Sequence, residues 1–517
     1  MLRACVIVLT GGFAVATLAG MQATDDAVRV TGGLLSGTRG ADASIRVFKG
    51  IPFAAAPLGA RRWTPPQPLI PWDGVRKAET FSPMCMQPQR PLQGSNLHDG
   101  TPEPISEDCL YLNVWAPPRA AAAAASEKRP VMVWIYGGFF RMGSASTGLY
   151  NGEQLARKGV VFVSFNYRVG PFGYLAHPEL ARESEQGASG NYALLDQIAA
   201  LKWVQANIAA FGGDPARVTV VGQSAGSMSI SALMASPLSR GLFQRAIGES
   251  GAHFGPNDLR SRVAAERAGT QLTTAADAPS IADLRAQPAD QILHGSWQGH
   301  GMVIDGWVLP QSIATAFGKG QQHDVPLLTG WTANDTGRAT SLSAAEFIHQ
   351  ARQDWGVYAD TFLKVYPASS EQEARQSQIA AVTDRMFGWN AWTWARIHTR
   401  TGRSPAYLYY FTRVPPHSDR TQGAFHGADI YYALRNLSYK NWAWTPADTA
   451  LSDTMSSYWI NFAATGNPNG TGLPVWPVYS EAADTVMVLG DAVEARANPR
   501  KAALELVDAS PAKPREK

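Results

Sequence analysis

Four strand-like segments in the middle of the chain alternate with stretches of helical spacing, and this limits the fold more than any other feature. VMVWIY, opening after Pro130, is apolar throughout, as suits a strand buried on both faces. GVVFVSFNY (159–167) reads as the next buried strand, RVTVVG (217–222) as another, and FQRAIGES (243–250) as a strand running to a second polar turn. Between them, NYALLDQIAALKWVQANIAAF (191–211) and AGSMSISALMAS (225–236) place apolar residues at helical intervals. Strand and helix in alternation predict a parallel sheet with helices on both faces. VPLLTG (325–330) and AYLYYF (406–411) read as later strands, 27–50 as hairpin material, and 255–300 and 339–400 as mainly helical. No repeat and no Gly/Ser- or Pro-rich linker divides the chain. Residues 24–510 are therefore expected to form one large domain with helical insertions, and the alanine run at 120–125 reads as a surface loop.

The composition, 45% hydrophobic and 17% charged with a net charge of +3 over 517 residues, is that of a globular protein. It lacks the basic blocks a nucleic-acid partner calls for. Residues 1–23 read as an export signal, with Arg3, the apolar CVIVLTGGFAVATLAG, and small residues around Ala19, Gly20 and Ala23. A short membrane anchor is the alternative, but the run is short, broken by glycines and followed by no basic stop. An exported chain, periplasmic or secreted, is the expectation. Of three cysteines, Cys5 leaves with the signal. Cys85 and Cys109 then suggest one disulfide, the alternative being two free buried thiols. No H-E-x-x-H occurs, the ten histidines are scattered, and IYGGFFRMGS lacks the lysine of a phosphate loop, so neither metal nor cofactor is expected.

Gly222-Gln223-Ser224-Ala225-Gly226 lies between the strand TVVG and the helix AGSMSISALM. The bare G-x-S-x-G pattern is weak, and a serine in a glycine-rich turn is its plain reading. On a sharp strand-to-helix turn, however, the hydroxyl stands above the sheet edge, and the Ala225 N–H points where an oxyanion would form. Glycines at 222 and 226 let strand and helix pack close beside a strained serine. A second set of oxyanion donors fits IYGGFF (135–140), at Gly138 and Phe139. A base and an acid must follow if the chain order is serine, acid, histidine. His426, between Gly423 and Gly427 and beyond the last strand, suits the base; Asp335, five residues past Gly330 in VPLLTGWTAND, suits the acid.

Together these segments resemble the type-B carboxylesterase and cholinesterase family of the α/β-hydrolase fold, in particular its bacterial para-nitrobenzyl-esterase-like members. The matching stretches span nearly the whole chain past the signal: FKGIPFAAAPLGARRW, SEDCLYLNVWAP, PVMVWIYGGFF, FNYRVGPFGYL, GGDP, VTVVGQSAG, FQRAIGESG, AFHGADI and NFAATGNPN. The resemblance implies a central mostly parallel sheet flanked by helices. It implies a serine hydrolase that cleaves carboxylic esters through an acyl-enzyme, with Ser224 as nucleophile, His426 as base and Asp335 as acid. Gly137, Gly138 and Phe139 fall on the oxyanion loop, with Ala225 as a further donor. Cys85 and Cys109 fall on the family's first disulfide. Arg62 with Glu107 and Arg168 with Asp196 fall on structural ion pairs, and Ser250 on a serine that supports the acid. The partners implied are a small ester and water.

Departures bear on the substrate. Phe139 stands where the family prefers a third glycine, and the acid is Asp rather than the usual Glu. Gln223 often is Glu, and the 85–109 loop has no Trp, which argues against a quaternary ammonium substrate. Trp297, Phe139, Phe140, Trp389 and Trp392 either line the pocket or pack in the core. The same triad would serve carbamates, amides or thioesters. A lipase would call for an amphipathic lid, and a non-catalytic binding module for a broken triad.

Overall fold

A computed structural model describes residues 27–88, 103–118, 128–255, 259–294, 301–336, 342–417 and 422–509. The expected signal, the alanine run and Trp297 lie outside the described residues. The apolar runs build one eleven-stranded mixed sheet. Its strands are β1 (Thr38–Arg39), β2 (Arg46–Pro52), β3 (Tyr111–Ala116), β4 (Arg129–Ile135), β5 (Val161–Phe165) and β6 (Gly213–Gln223). They continue with β7 (Arg245–Glu249), β8 (Leu327–Thr332), β9 (Ala406–Phe411), β10 (Thr485–Leu489) and β11 (Val493–Ala497). The spatial order is β11-β10-β9-β8-β7-β6-β4-β5-β3-β2-β1. From β10 through β5 every neighbour is parallel, while β3 on β5, β2 on β3, β1 on β2 and β11 on β10 are antiparallel. The parallel strands are largely apolar and buried, as burial on both faces requires. The hairpin material at 27–50 divides between a small separate sheet and β1–β2.

Helices flank the sheet. Those that matter for the site are α1 (Tyr192–Asn207), α2 (Ala225–Ala235), α3 (Trp389–Thr401), α4 (Ala428–Ala433) and α5 (Pro446–Thr465). α2 packs on β6 and β7, α3 on β8 and β9, and α5 on β4 and β6. The expectation that His426 follows the last strand is corrected: β10 and β11 come after it. VEARA in β11 is mostly exposed and closes the sheet edge with charges, so it carries no apolar run to betray it. Among the described residues no helix is long and apolar enough to cross a membrane.

Two buried ion pairs tie distant segments together. Arg62 grips Glu107 through two contacts of 2.6 Å and donates to the carbonyls of Arg285 and Gln287 at 2.9 and 2.8 Å. Arg168 holds Asp196 at 2.8 and 2.7 Å. Two-pronged geometry offsets the desolvation of both partners, so each pair serves the scaffold.

Cys85 and Cys109 are joined, 24 residues apart. Closing a loop of that length stabilises the native state by about 3 kcal/mol, chiefly through the unfolded chain. Replacing both cysteines with alanine is expected to lower the urea midpoint accordingly. An unchanged midpoint would show that the bond adds nothing to stability.

Candidate active site

Ser224 caps α2 with φ 57° and ψ −124°, a conformation an L-residue adopts only when its surroundings enforce it. The enforcement is visible. The Ser224 N–H donates to the Glu249 carbonyl on β7 at 2.9 Å, and the Ser224 carbonyl accepts the Met228 N–H at 2.8 Å. Behind the turn the backbones nearly touch: a Cβ on Gly226 would lie 2.0 Å from the Ile135 carbonyl oxygen, and one on Gly222 would lie 2.6 Å from it. The G-x-S-x-G glycines are therefore required by close approach of β4. Gly226→Ala is expected to cost about 3 kcal/mol or more, because the obstacle is backbone. Gly318→Ala, where a Cβ meets nothing within 4 Å, is the control in the same denaturation experiment. Equal stability of the two variants would contradict the packing argument.

The loop after β4 passes directly over the serine. A Cβ on Gly137 would sit 2.9 Å from the Ser224 Cβ. Gly138, Phe139 and Phe140 follow with φ of 119°, 56° and 61°. Left-handed backbone at a phenylalanine is a strained choice, and it explains why a glycine is preferred at that position. The Phe139 N–H survives the substitution. The amides of Gly138, Phe139 and Ala225 have no acceptor among the described residues. The Phe139 side chain is 57% exposed, whereas Phe140 is buried, packed edge-on to Tyr174 and stacked on His253.

His426 and Asp335 are brought together by stitched loops. Asn334 donates its N–H to the Ala424 carbonyl at 3.0 Å, and its side-chain oxygen accepts the Ala424 N–H at 3.2 Å. A Cβ on Gly423 would fall 2.2 Å from that side-chain oxygen, so the stitch needs glycine there. The result is a 2.5 Å hydrogen bond from His426 Nδ1–H to Asp335 Oδ1. An aspartate thus reaches the imidazole despite being one methylene shorter than the usual glutamate. Asp335 is buried, and its Oδ2 accepts the Thr332 N–H at 3.0 Å. The Phe387 ring packs on His426 with centroids 4.7 Å apart, from a π-helical turn at Asp384–Gly388.

Two residues behave differently from expectation. Ser250, buried at φ 49°, makes no hydrogen bond through its hydroxyl, so the support of Asp335 comes from the Thr332 amide instead. Gln223 does more than remove a negative charge: its amide nitrogen lies 3.1 Å from His426 Nε2. With Nδ1 protonated toward Asp335, Nε2 carries a lone pair, and the Gln223 N–H₂ can donate to it where a glutamate could not. No hydrogen bond joins His426 to Ser224 among the described residues. Such contacts tighten when substrate is bound. Of the tryptophans read as either pocket lining or core, Trp389 donates to Asp508 at 3.1 Å, and Trp392 donates to Asp484 at 2.9 Å under Arg396. Their polar ends are engaged by the scaffold. Among the described residues no cluster of His, Cys, Asp or Glu could hold a metal.

A sharp serine turn on a mostly parallel sheet, overlooked by a glycine loop and by a His–Asp couple, defines an α/β-hydrolase. The family model described as "Carboxylesterase family" matches residues 24–507. Fumonisin B1 esterase of Sphingopyxis macrogoltabida is 35% identical over 489 residues, 91% of this chain and 88% of that protein. Human cocaine esterase is 33% identical over 488 residues, covering 87% and 84%. A solved structure of PNB esterase superposes with a TM-score of 0.81 at 32% identity, covering 94% of this chain and 99% of that one. The chain belongs to the carboxylesterase family. Its reaction is carboxylic ester hydrolysis, and the serine-hydrolase expectation holds.

Proposed function

We propose that Ser224 is the nucleophile, His426 the general base and Asp335 the group that orients and stabilises the imidazolium. Ser224 attacks the ester carbonyl as His426 Nε2 takes its proton. The oxyanion rests on the amides of Gly138, Phe139 and Ala225. His426 returns the proton to the leaving alcohol, and water repeats the sequence on the acyl-enzyme. The observation that carries this reading is the enforced φ of 57° at Ser224, set under the Gly137 loop and next to Gln223, whose amide reaches the Asp335-bound imidazole.

Substrates are esters without a quaternary ammonium group, since Gln223 brings no negative charge beside the nucleophile. That neutrality also accommodates an acidic acyl part. Residues 1–23 act as an export signal and residues 24–510 as the single catalytic domain, with the Cys85–Cys109 bond suited to an oxidising compartment. The test is hydrolysis of p-nitrophenyl acetate, butyrate and octanoate beside butyryl p-nitroanilide. Turnover of the esters far above the anilide is expected. An anilide cleaved as fast as its ester would move the physiological bond to amides.

A further inference from the structure

The loop over the serine is gripped at its far end by a buried amide that acyl transfer does not use. Gln87 stands two residues past Cys85, which is tied to Cys109. Its Oε1 accepts the Gly143 N–H at 2.8 Å, and its Nε2–H donates to the Gly143 carbonyl at 2.8 Å. The other Nε2 hydrogen goes to the Cys85 carbonyl at 3.0 Å. Both amide hydrogens are thus engaged, and the Gly143 N–H fixes which end of the amide is oxygen.

Gly143 closes the loop that leaves β4. The loop folds back on itself, the Gly138 carbonyl accepting the N–H groups of Arg141 at 3.0 Å and Met142 at 3.2 Å. Among the described residues, hydrogen bonds from outside reach its backbone between Gly138 and Gly143 at two places. The Gly170 N–H donates to the Phe140 carbonyl at 2.7 Å, and Gln87 holds Gly143. The peptide joining Met142 to Gly143 is a rigid plane. Gln87 binds its N–H edge. Its carbonyl oxygen presses on Gly138, where a Cβ would fall 2.1 Å from it. Gly143 is equally confined: at φ 130°, a Cβ there would lie 2.3 Å from the Tyr136 ring and 2.7 Å from the Gly137 carbonyl oxygen. A shift at Gly143 is therefore a shift at Gly138.

We propose that Gln87 is a positioning residue for ester hydrolysis: by fixing the Met142–Gly143 peptide it aims the N–H groups of Gly138 and Phe139 at the oxyanion. This rests on those amides serving the oxyanion. Gln87 makes no hydrogen bond to Ser224 or His426 among the described residues and acts through the loop. The loop needs such a brace, because Phe139 and Phe140 stand at φ 56° and 61°, backbone that residues with a side chain adopt only when held there. Oxyanion donors act by being in place before the charge develops. A misplacement of about 1 Å can cost on the order of 10²-fold in rate.

The test compares wild type with Gln87→Met, which keeps the length of the side chain and removes its hydrogen bonds. The control is Asn469→Leu. Asn469 makes the same double bond to a backbone, at 2.8 and 2.7 Å to Trp476, which packs on Tyr407 near the start of β9, at the opposite end of the strand from the site. With p-nitrophenyl butyrate, Gln87→Met is expected to lose roughly tenfold to hundredfold in kcat, with KM changed by less than about twofold. Affinity for butyl trifluoromethyl ketone should fall by a similar factor. That ketone takes a bond from Ser224 Oγ at its carbonyl carbon, leaving the carbonyl oxygen as O⁻ and the hydroxyl proton on His426, so it reads the oxyanion donors without turnover. Asn469→Leu should lower the melting temperature and keep both values. An unchanged kcat in Gln87→Met, a lower kcat with unchanged ketone affinity, or equal losses in Asn469→Leu would each overturn the proposal. If Gln87→Met fails to fold, hydrogen exchange in the wild type decides: the Gly143 amide should exchange as slowly as amides of the central strands, and fast exchange there would show that Gln87 does not hold the loop. Wild type that forms no ketone adduct at Ser224 would sink the nucleophile and oxyanion reading itself. Tight binding by wild type and Gln87→Met alike would sink only the role of Gln87.

Discussion

Ser224→Ala is expected to lose ester turnover by on the order of 10⁴-fold or more, with folding intact. The size follows from the geometry. The serine stands at the head of α2 under the Gly137 loop, and the oxyanion amides alone provide only the residual rate over water. Alanine adds no bulk and removes only the hydroxyl, so the turn keeps its packing. It should also keep its backbone bond to Glu249. Stopped assays with p-nitrophenyl butyrate and a thermal melt would check both halves. A variant that melts like wild type yet retains a tenth of its activity would place the nucleophile elsewhere.

Asp335→Asn should be nearly as damaging, lowering kcat by on the order of 10³- to 10⁴-fold with little change in KM. The Thr332 N–H donates to one oxygen of the carboxylate and the His426 Nδ1–H to the other. An asparagine must turn its carbonyl to Thr332, which leaves its NH₂ against Nδ1. That forces the proton to Nε2, where His426 can no longer accept one from Ser224. The shape of the site survives and the tautomer is wrong. Loss of less than tenfold would mean that another carboxylate orients the imidazole.

How far the chain could be read before its structure was known depended on what each feature leaves in the sequence. Strands β4 to β9 were legible because burial on both faces favours short, mainly apolar segments. Ser224 was legible because β4 passes so close that both flanking positions must be glycine, a requirement local enough to make a motif. Asp335 and His426 needed the family resemblance, since nothing in either loop alone announces that Asn334 will stitch them together. The edge strand β11 was missed because edges are built from charged residues. Contacts such as Gln223 with His426, or Glu249 with Trp459 across the sheet, leave no pattern in the chain, because their partners lie some two hundred residues apart and owe their meeting to the fold.

The central claim, that the acyl group is carried on Ser224, is tested most directly by labelling with a fluorophosphonate that mimics the tetrahedral intermediate. Intact mass and peptide mapping should show one adduct per chain, on the peptide containing Ser224, formed as esterase activity falls to zero and absent from Ser224→Ala. An adduct on Ser227, Ser229 or Ser250, or continued hydrolysis by a fully labelled protein, would contradict it.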